Sequence, residues 1–463
     1  MKIERIRENI TLFPHQVECV ARGLSTPSML IADEMGLGKT LEALTLAAID
    51  FQQGQAKRAL VVAPATLKFN WAEEIAALTT FSVDVLNGTP NKRNKMLAGW
   101  AAGEGSDVLV VNYEQVKPHL YVLNQLDFDI VIFDEAHYLK NPRAARTKAC
   151  HKLQASRFFV LTGSPVLNRV DELWSLLHVV EPRKFPNYWS FRNRYCKMGG
   201  FQGRQVVGTQ HEDELKAKLA DVMIRRTKDE CLDLPEKIHT TIRVHMGKKQ
   251  RALYDQILHE WRYSVPDVLA PQDIELAMTQ LLRLKQVCST PHNLGHPDDS
   301  AKLDVAIERA MEIHDNGKPV VIFTQFRGTL NALRERLGRY MPTPHLDGGL
   351  KIDQRAQQVE AWRKLGGALC CMLQVAGTGL TLTEADTVIF VDKLWTPKLN
   401  EQAEDRLHRI GQTSTVNVVD IITADSVEAR IEKILREKTE LFDAIVGGAA
   451  AWKADLIKEM ISE

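Results

Sequence analysis

Gly36, Gly38, Lys39 and Thr40 close the stretch ADEMGLGKT (32–40), which lies between an apolar run, SMLIA, and a helix-forming one, TLEALTLAAI. Strand, glycine-rich loop and helix in that order suit a phosphate. The glycines let backbone N–H groups curl around its oxygens, and the helix N-terminus adds partial positive charge. Lys39 is placed to bridge the β- and γ-phosphates of ATP, and Thr40 to set its hydroxyl on Mg²⁺. Asp33, Glu34, Met35 and Leu37 complete the loop that would wrap the nucleotide. The strict pattern G-x-x-x-x-G-K-[ST] is not met, because Asp33 stands where its first Gly falls. By itself the loop would also fit a glycine turn with a solvated lysine.

A second group removes that reading. Asp134-Glu135-Ala136-His137 follows the apolar run DIVIF. Carboxylates at the C-terminal end of a buried strand sit where α/β sheets bind ligands. Asp134 is suited to holding Mg²⁺, and Glu135 to orienting and deprotonating the attacking water. An acidic helix cap is the plain alternative for an isolated tetrapeptide. It does not explain why the tetrapeptide accompanies a Gly-Lys-Thr loop upstream.

These groups need strands to carry them. SMLIAD (28–33), ALVVAP (59–64), DVLVVN (107–112), DIVIFD (129–134) and FFVLTG (158–163) are continuous apolar runs separated by helical sequence. That pattern predicts a parallel sheet covered on both faces. It recurs in VVIFTQF (320–326), ALCCMLQ (368–374), TVIFVD (387–392) and VNVVDII (416–422). The expected fold class is therefore α/β, two parallel-sheet lobes in tandem with helical insertions between them. The boundaries are placed at 1–234 and 235–463. One helical protrusion is expected at about 185–230, including a helix EDELKAKLADVMIRR, and another at about 247–300.

Lys plus Arg and Asp plus Glu both total 59 in the 463 residues, so nucleic-acid contact would require a local basic groove rather than bulk charge. Seven scattered cysteines have no zinc-site spacing, so no structural zinc is expected. No apolar run approaches the roughly 20 residues that span a bilayer. The charged N-terminus MKIERIRENI lacks an apolar signal region. A cytoplasmic protein of bacterial, phage or archaeal type is expected, or a nuclear one if eukaryotic.

Six blocks together resemble the Swi/Snf-type ATPases of helicase superfamily two, from about Leu12 to about Ile422. They are DEMGLGKT (33–40), DEAHYLKNP (134–142), LTGSP (161–165), IRRTKDECLDLP (224–235), GTGLTLTEADTVIFVD (377–392) and QAEDRLHRIGQ (402–412). The wording GLTLTEAD is similar to the compact branch with annealing and fork-remodelling translocases. The resemblance implies two RecA-like lobes and a DEAH box. It implies that Gln16 in LFPHQ reads the adenine edge, its amide being donor and acceptor together. Thr162 and Ser164, with His137, would couple nucleotide state to movement. Arg406 and Arg409, i and i+3 on an expected helix, would bind the γ-phosphate as charged forks, with Gln402 on the same face.

The same resemblance implies a strand-phosphate track through Thr66, Lys68, Asn112, Thr324, Thr378, Gly379 and Trp395, although each suits a helix cap or turn as well. Trp71 is read as a buried anchor of its loop and Trp395 as able to stack on the substrate. The function implied is an ATP-driven translocase on duplex, forked or branched DNA, annealing strands, migrating branches or remodelling, in repair, replication or recombination. An RNA helicase and a nucleotide-gated clamp or scaffold are the alternatives. A monomeric motor is expected. Its C-terminal segment AIVGGAAAWKADLIKEM (444–460) would pack on the second lobe or recruit a protein partner.

Overall fold

The computed structural model describes residues 3–163, 170–199, 205–264, 271–297, 299–375, 380–395 and 397–437. Ser164, Thr378, Gly379 and the segment 444–460 lie outside the described residues. The chain divides into two compact units, Met1–Asp233 and Leu234–Glu463.

In unit 1 the strands are β1 (Met29–Ile31), β2 (Ala59–Ala63), β3 (Val83–Val85), β4 (Val108–Asn112), β5 (Ile130–Phe133), β6 (Arg157–Leu161), β7 (Cys196–Gly199), β8 (Gln205–Thr209) and β9 (Met223–Ile224). Seven of them form one parallel sheet in the order β3-β4-β2-β5-β6-β1-β9. The apolar runs are continuous because both faces are covered. Leu60, Val62, Val131 and Phe133 join one core, while Val61, Val110 and Ile132 join the core on the other face. Each such side chain contributes about 1.5–3 kcal/mol by leaving water.

Two elements depart from the sequence expectation. The first protrusion holds an antiparallel hairpin, β7–β8, as well as helices. The stretch EDELKAKLADVMIRR is helical only over Glu212–Ala220; Met223–Ile224 then pairs with Leu30–Ile31 as β9. Edge pairing to β1 supplies backbone partners that outweigh the helix propensity of so short a tail.

Unit 2 contains β10 (Lys237–Val244), β11 (Val320–Thr324), β12 (His345–Leu346), β13 (Ala368–Met372), β14 (Thr387–Phe390) and β15 (Val416–Thr423), parallel in the order β10-β15-β14-β11-β13-β12. Helices Lys248–Ser264 and Pro271–Ser289 form a separate small core with helix Val427–Glu437 around Tyr254, Trp261 and Ile431. No helix among the described residues is long and apolar enough to cross a membrane.

Candidate nucleotide site

Parallel strands of one sheet bring the acidic and the glycine-rich motifs of unit 1 to the same edge. β6 lies between β5, which ends in Asp134, and β1, which ends in the loop 32–38. Gly36 (φ 89°) and Gly38 (φ 83°) occupy the left-handed region, and Gly38 caps helix Lys39–Gln52. Left-handed backbone is where glycine avoids a Cβ penalty. The first helical turn then presents amides that a helix leaves without intrahelical acceptors. Lys39 Nζ donates to the carbonyls of Asp33 (2.8 Å) and Glu34 (3.1 Å). Burial pushes the Lys39 ammonium below its usual range, while Glu135, Asp33, Asp134 and Glu42 pull it back up.

Asp134 is aimed by its neighbours. Trp71 Nε1 donates to Asp134 Oδ2 at 2.8 Å, and the Glu135 amide to Oδ1 at 2.9 Å. Tyr113 Oη donates to the Asp134 carbonyl at 2.6 Å. Burial first, then the Glu135 charge, raises the Asp134 carboxyl to about 7. Glu135 has left-handed backbone (φ 47°) and its Oε2 lies 3.1 Å from His137 Nδ1. A positive φ at a glutamate is strain of a kind concentrated at functional sites. Thr162 is buried beside β1, its amide donating to the Ile31 carbonyl at 3.1 Å. Gly163 faces the loop so closely that an added Cβ would meet Met35 Cγ at 2.6 Å. A lysine, a hydroxyl and two carboxylates fit a magnesium nucleotide: Thr40 and Asp134 are the residues that would hold Mg²⁺.

In unit 2, helix Pro397–Glu404 carries Gln402, but it ends before the arginines. Arg406 and Arg409 lie in the turns that follow, so the expected shared helical face does not form. The Arg406 carbonyl accepts from the Leu382 amide at 2.9 Å, and the Arg409 carbonyl from the Gln412 amide at 3.0 Å. Gln412, 7% exposed, braces the same turn: its Nε2 donates to the Ala385 carbonyl at 2.9 Å, and its Oε1 accepts from the Thr413 and Ser414 amides.

Residues 15–293 match the SNF2-related domain, and residues 302–411 the helicase conserved C-terminal domain. The chain belongs to the SNF2-related family. An uncharacterized ATP-dependent helicase of Mycoplasma genitalium is 28% identical to this SNF2-related chain over 421 residues, 89% of the chain and 40% of that protein. Human chromodomain-helicase-DNA-binding protein 1 is 28% identical over 446 residues, 90% of the chain and 25% of that protein. The chain thus spans less than half the length of these relatives. A solved Sulfolobus solfataricus SWI2/SNF2 ATPase core in complex with dsDNA is 26% identical, with a TM-score of 0.47 over 100% of this chain and 98% of that one.

Two expected track residues of the SNF2-related chain turn inward. Lys68 is 4% exposed, its Nζ donating to the Leu86 carbonyl at 2.7 Å and to Gln115 Oε1 at 3.4 Å, and burial lowers its pKa to about 8. Thr324 is fully buried, its Oγ1 donating to Asp392 Oδ2 at 2.5 Å. Neither presents a group to a strand phosphate in this conformation. Asn112 caps helix Tyr113–Gln125, its Oδ1 accepting from the Gln115 amide at 2.9 Å. Thr66 is exposed just beyond β2. Trp395 is half-buried, with the Lys285 ammonium 5.4 Å over its ring.

Gln16, expected to read adenine, is 1% exposed and bound to the loop itself. Its Nε2 donates to the Leu37 carbonyl at 3.1 Å and its Oε1 accepts from the Phe13 amide at 3.0 Å. Arg226 lies in the block IRRTKDECLDLP and carries no role expected from the sequence. The structure places its guanidinium against Asp33 and Glu42.

Proposed function

We propose that this chain is an ATP-dependent motor that translocates on DNA, using duplex, forked or branched substrates and hydrolysing ATP to ADP and phosphate. The observation that carries the ATP half is the joint placement of Lys39, at the start of the helix after β1, with Asp134 and Glu135, just beyond β5, in one parallel sheet of unit 1. Lys39 draws the γ-phosphate to the loop, and its charge offsets the charge that builds on the equatorial oxygens during transfer. Glu135 accepts the proton of the attacking water, its Oε2 held beside His137. Asp134 stays aimed because Trp71 fixes one of its oxygens. A bound Mg²⁺ would neutralise phosphate charge from the side of Thr40 and Asp134. The proposal assigns Arg406 and Arg409 to the γ-phosphate on guanidinium chemistry and on the family resemblance.

The DNA half is supported by membership of the SNF2-related family and by relatives named as DNA-binding helicases. Thr66 and Trp395 remain assigned to the track; Lys68 and Thr324 do not. Steady-state ATP hydrolysis is the test, measured without nucleic acid and with duplex, forked and single-stranded DNA and RNA. Stimulation by duplex or forked DNA is expected. Stimulation by RNA alone would replace the DNA reading with an RNA one, and no hydrolysis under any condition would overturn the motor.

A further inference from the structure

The backbone arriving from the first protrusion does not stop at the end of β9. The carbonyls of Val222, Ile224 and Arg226 accept in turn from the amides of Leu30 (2.8 Å), Ala32 (2.8 Å) and Glu34 (2.9 Å). The ladder thus runs past β1 into the phosphate loop. The Lys228 amide continues it by donating to Glu34 Oε2 at 2.8 Å. At the same point the Arg226 side chain enters beneath the loop. Its Nη2 donates to Asp33 Oδ2 and, at 2.9 Å, to Glu42 Oε1; its Nε lies 3.2 Å from Asp33 Oδ2, and its Nη1 donates to the His15 carbonyl.

Asp33 and Glu42 are both fully buried, one on the loop and one in the first turn of the helix behind it. Burial, then the Asp33 charge, pushes the Glu42 carboxyl up to about 8 while Arg226 pulls it down, so the pair can share ionised character in so dry a place only with a cation beside it. Arg226 meets both with one guanidinium, and the positive charge is what the buried pair requires. The same two carboxylates also act on the Lys39 ammonium. Without Arg226, Lys39 would be drawn to neutralise them and would be less available to a phosphate.

We propose that Arg226 is a positioning residue of the nucleotide site, which takes up the charge of Asp33 and Glu42 so that Lys39, whose ammonium donates to the Asp33 and Glu34 carbonyls, keeps its charge for phosphate. This rests on the ATP-binding reading above. It predicts a charge effect that a merely structural stitch would not show. Removing Arg226 should harm nucleotide binding, and removing one carboxylate as well should repair it.

The experiment is titration of the full chain with a fluorescent ATP analogue, for wild type, Arg226→Gln, Glu42→Gln and the double variant, with folding followed by circular dichroism. Arg226→Gln should weaken binding by about tenfold or more, the scale expected for an unpaired buried charge, and the double variant should recover most of that loss. If Arg226→Gln does not fold while the double variant folds and binds, the charge effect is equally established. If neither folds, Arg226→Lys decides: binding within about threefold of wild type supports charge neutralisation, and a tenfold loss overturns it. A folded Arg226→Gln that binds as wild type, or a folded double variant no better than the single, overturns the proposal alone. Wild type that binds no nucleotide would overturn the ATP reading and this proposal with it.

Discussion

Trp71 Nε1 donates to Asp134 Oδ2 at 2.8 Å, joining the helix after β2, Lys68–Leu78, to the acidic end of β5. Trp71 is 3% exposed, so the indole packs as core while its one polar atom orients a proposed magnesium ligand. Trp71→Phe keeps most of the apolar volume and removes the donor. The stability cost should be that of one hydrogen bond to a charged acceptor, about 1.5–3 kcal/mol by thermal unfolding. The maximal ATPase rate should fall about tenfold, equivalent to ~1.4 kcal/mol, and more Mg²⁺ should be needed for half-maximal rate. An unchanged Mg²⁺ requirement would separate Trp71 from the metal site.

Gly38 should tolerate no side chain. Its φ of 83° is left-handed, and an added Cβ would stand 2.4 Å from Gln16 Nε2. Gly38→Ala should therefore abolish measurable binding of a fluorescent ATP analogue and cost at least about 1–2 kcal/mol of backbone strain. Adding Gln16→Ala relieves the clash but not the strain, so it should restore binding only in part. Full restoration would show that the clash alone mattered.

Lys68 separates the internal reading from the track reading. Lys68→Met removes an ammonium bonded to the Leu86 carbonyl and Gln115, both inside unit 1. The melting temperature should fall, with a loss of about 1–3 kcal/mol for the acceptors left unpaired. The slope of log affinity for DNA against log salt should not change. A loss of roughly one unit of that slope would restore Lys68 to the phosphate contacts.

His151 supplies a pH dependence of stability. It packs against Trp174 and His178, and its Nε2 lies 3.1 Å from the Ser175 carbonyl. Burial, then the neighbouring His178, lowers its pKa from 6.5 to about 4, against the pull of the Ser175 hydrogen bond. The unfolded chain therefore takes up a proton at a pH where the folded one does not. The contribution is fully present above about pH 6.5 and is lost as the pH falls towards about 4, a change of about 3 kcal/mol at most. His151→Gln should flatten the fall of melting temperature across that window. An identical slope in the variant would assign the acid loss to other groups.

Much of this was legible in the chain itself. The long apolar runs announced both sheets, because strands buried on two faces must be apolar at every position. The edge strands β3, β9, β10 and β12 were not legible. Edge strands are short or alternate in polarity, and nothing local to VMI at 222–224 says that β1 lies beside it.

The sequence by itself determined which chemical groups exist and which of them neighbour one another along the chain: the Gly-Lys-Thr loop, the Asp-Glu pair and the strands that carry them. Such groups are close because the chain keeps them close. The tertiary structure alone decided which partner each group meets. It set Arg226 against Asp33 across 193 positions, turned Lys68 and Thr324 inward, and ended the helix before Arg406. Those outcomes depend on burial and on long-range pairing of charge, and a buried charge must find its counterpart wherever the fold brings one.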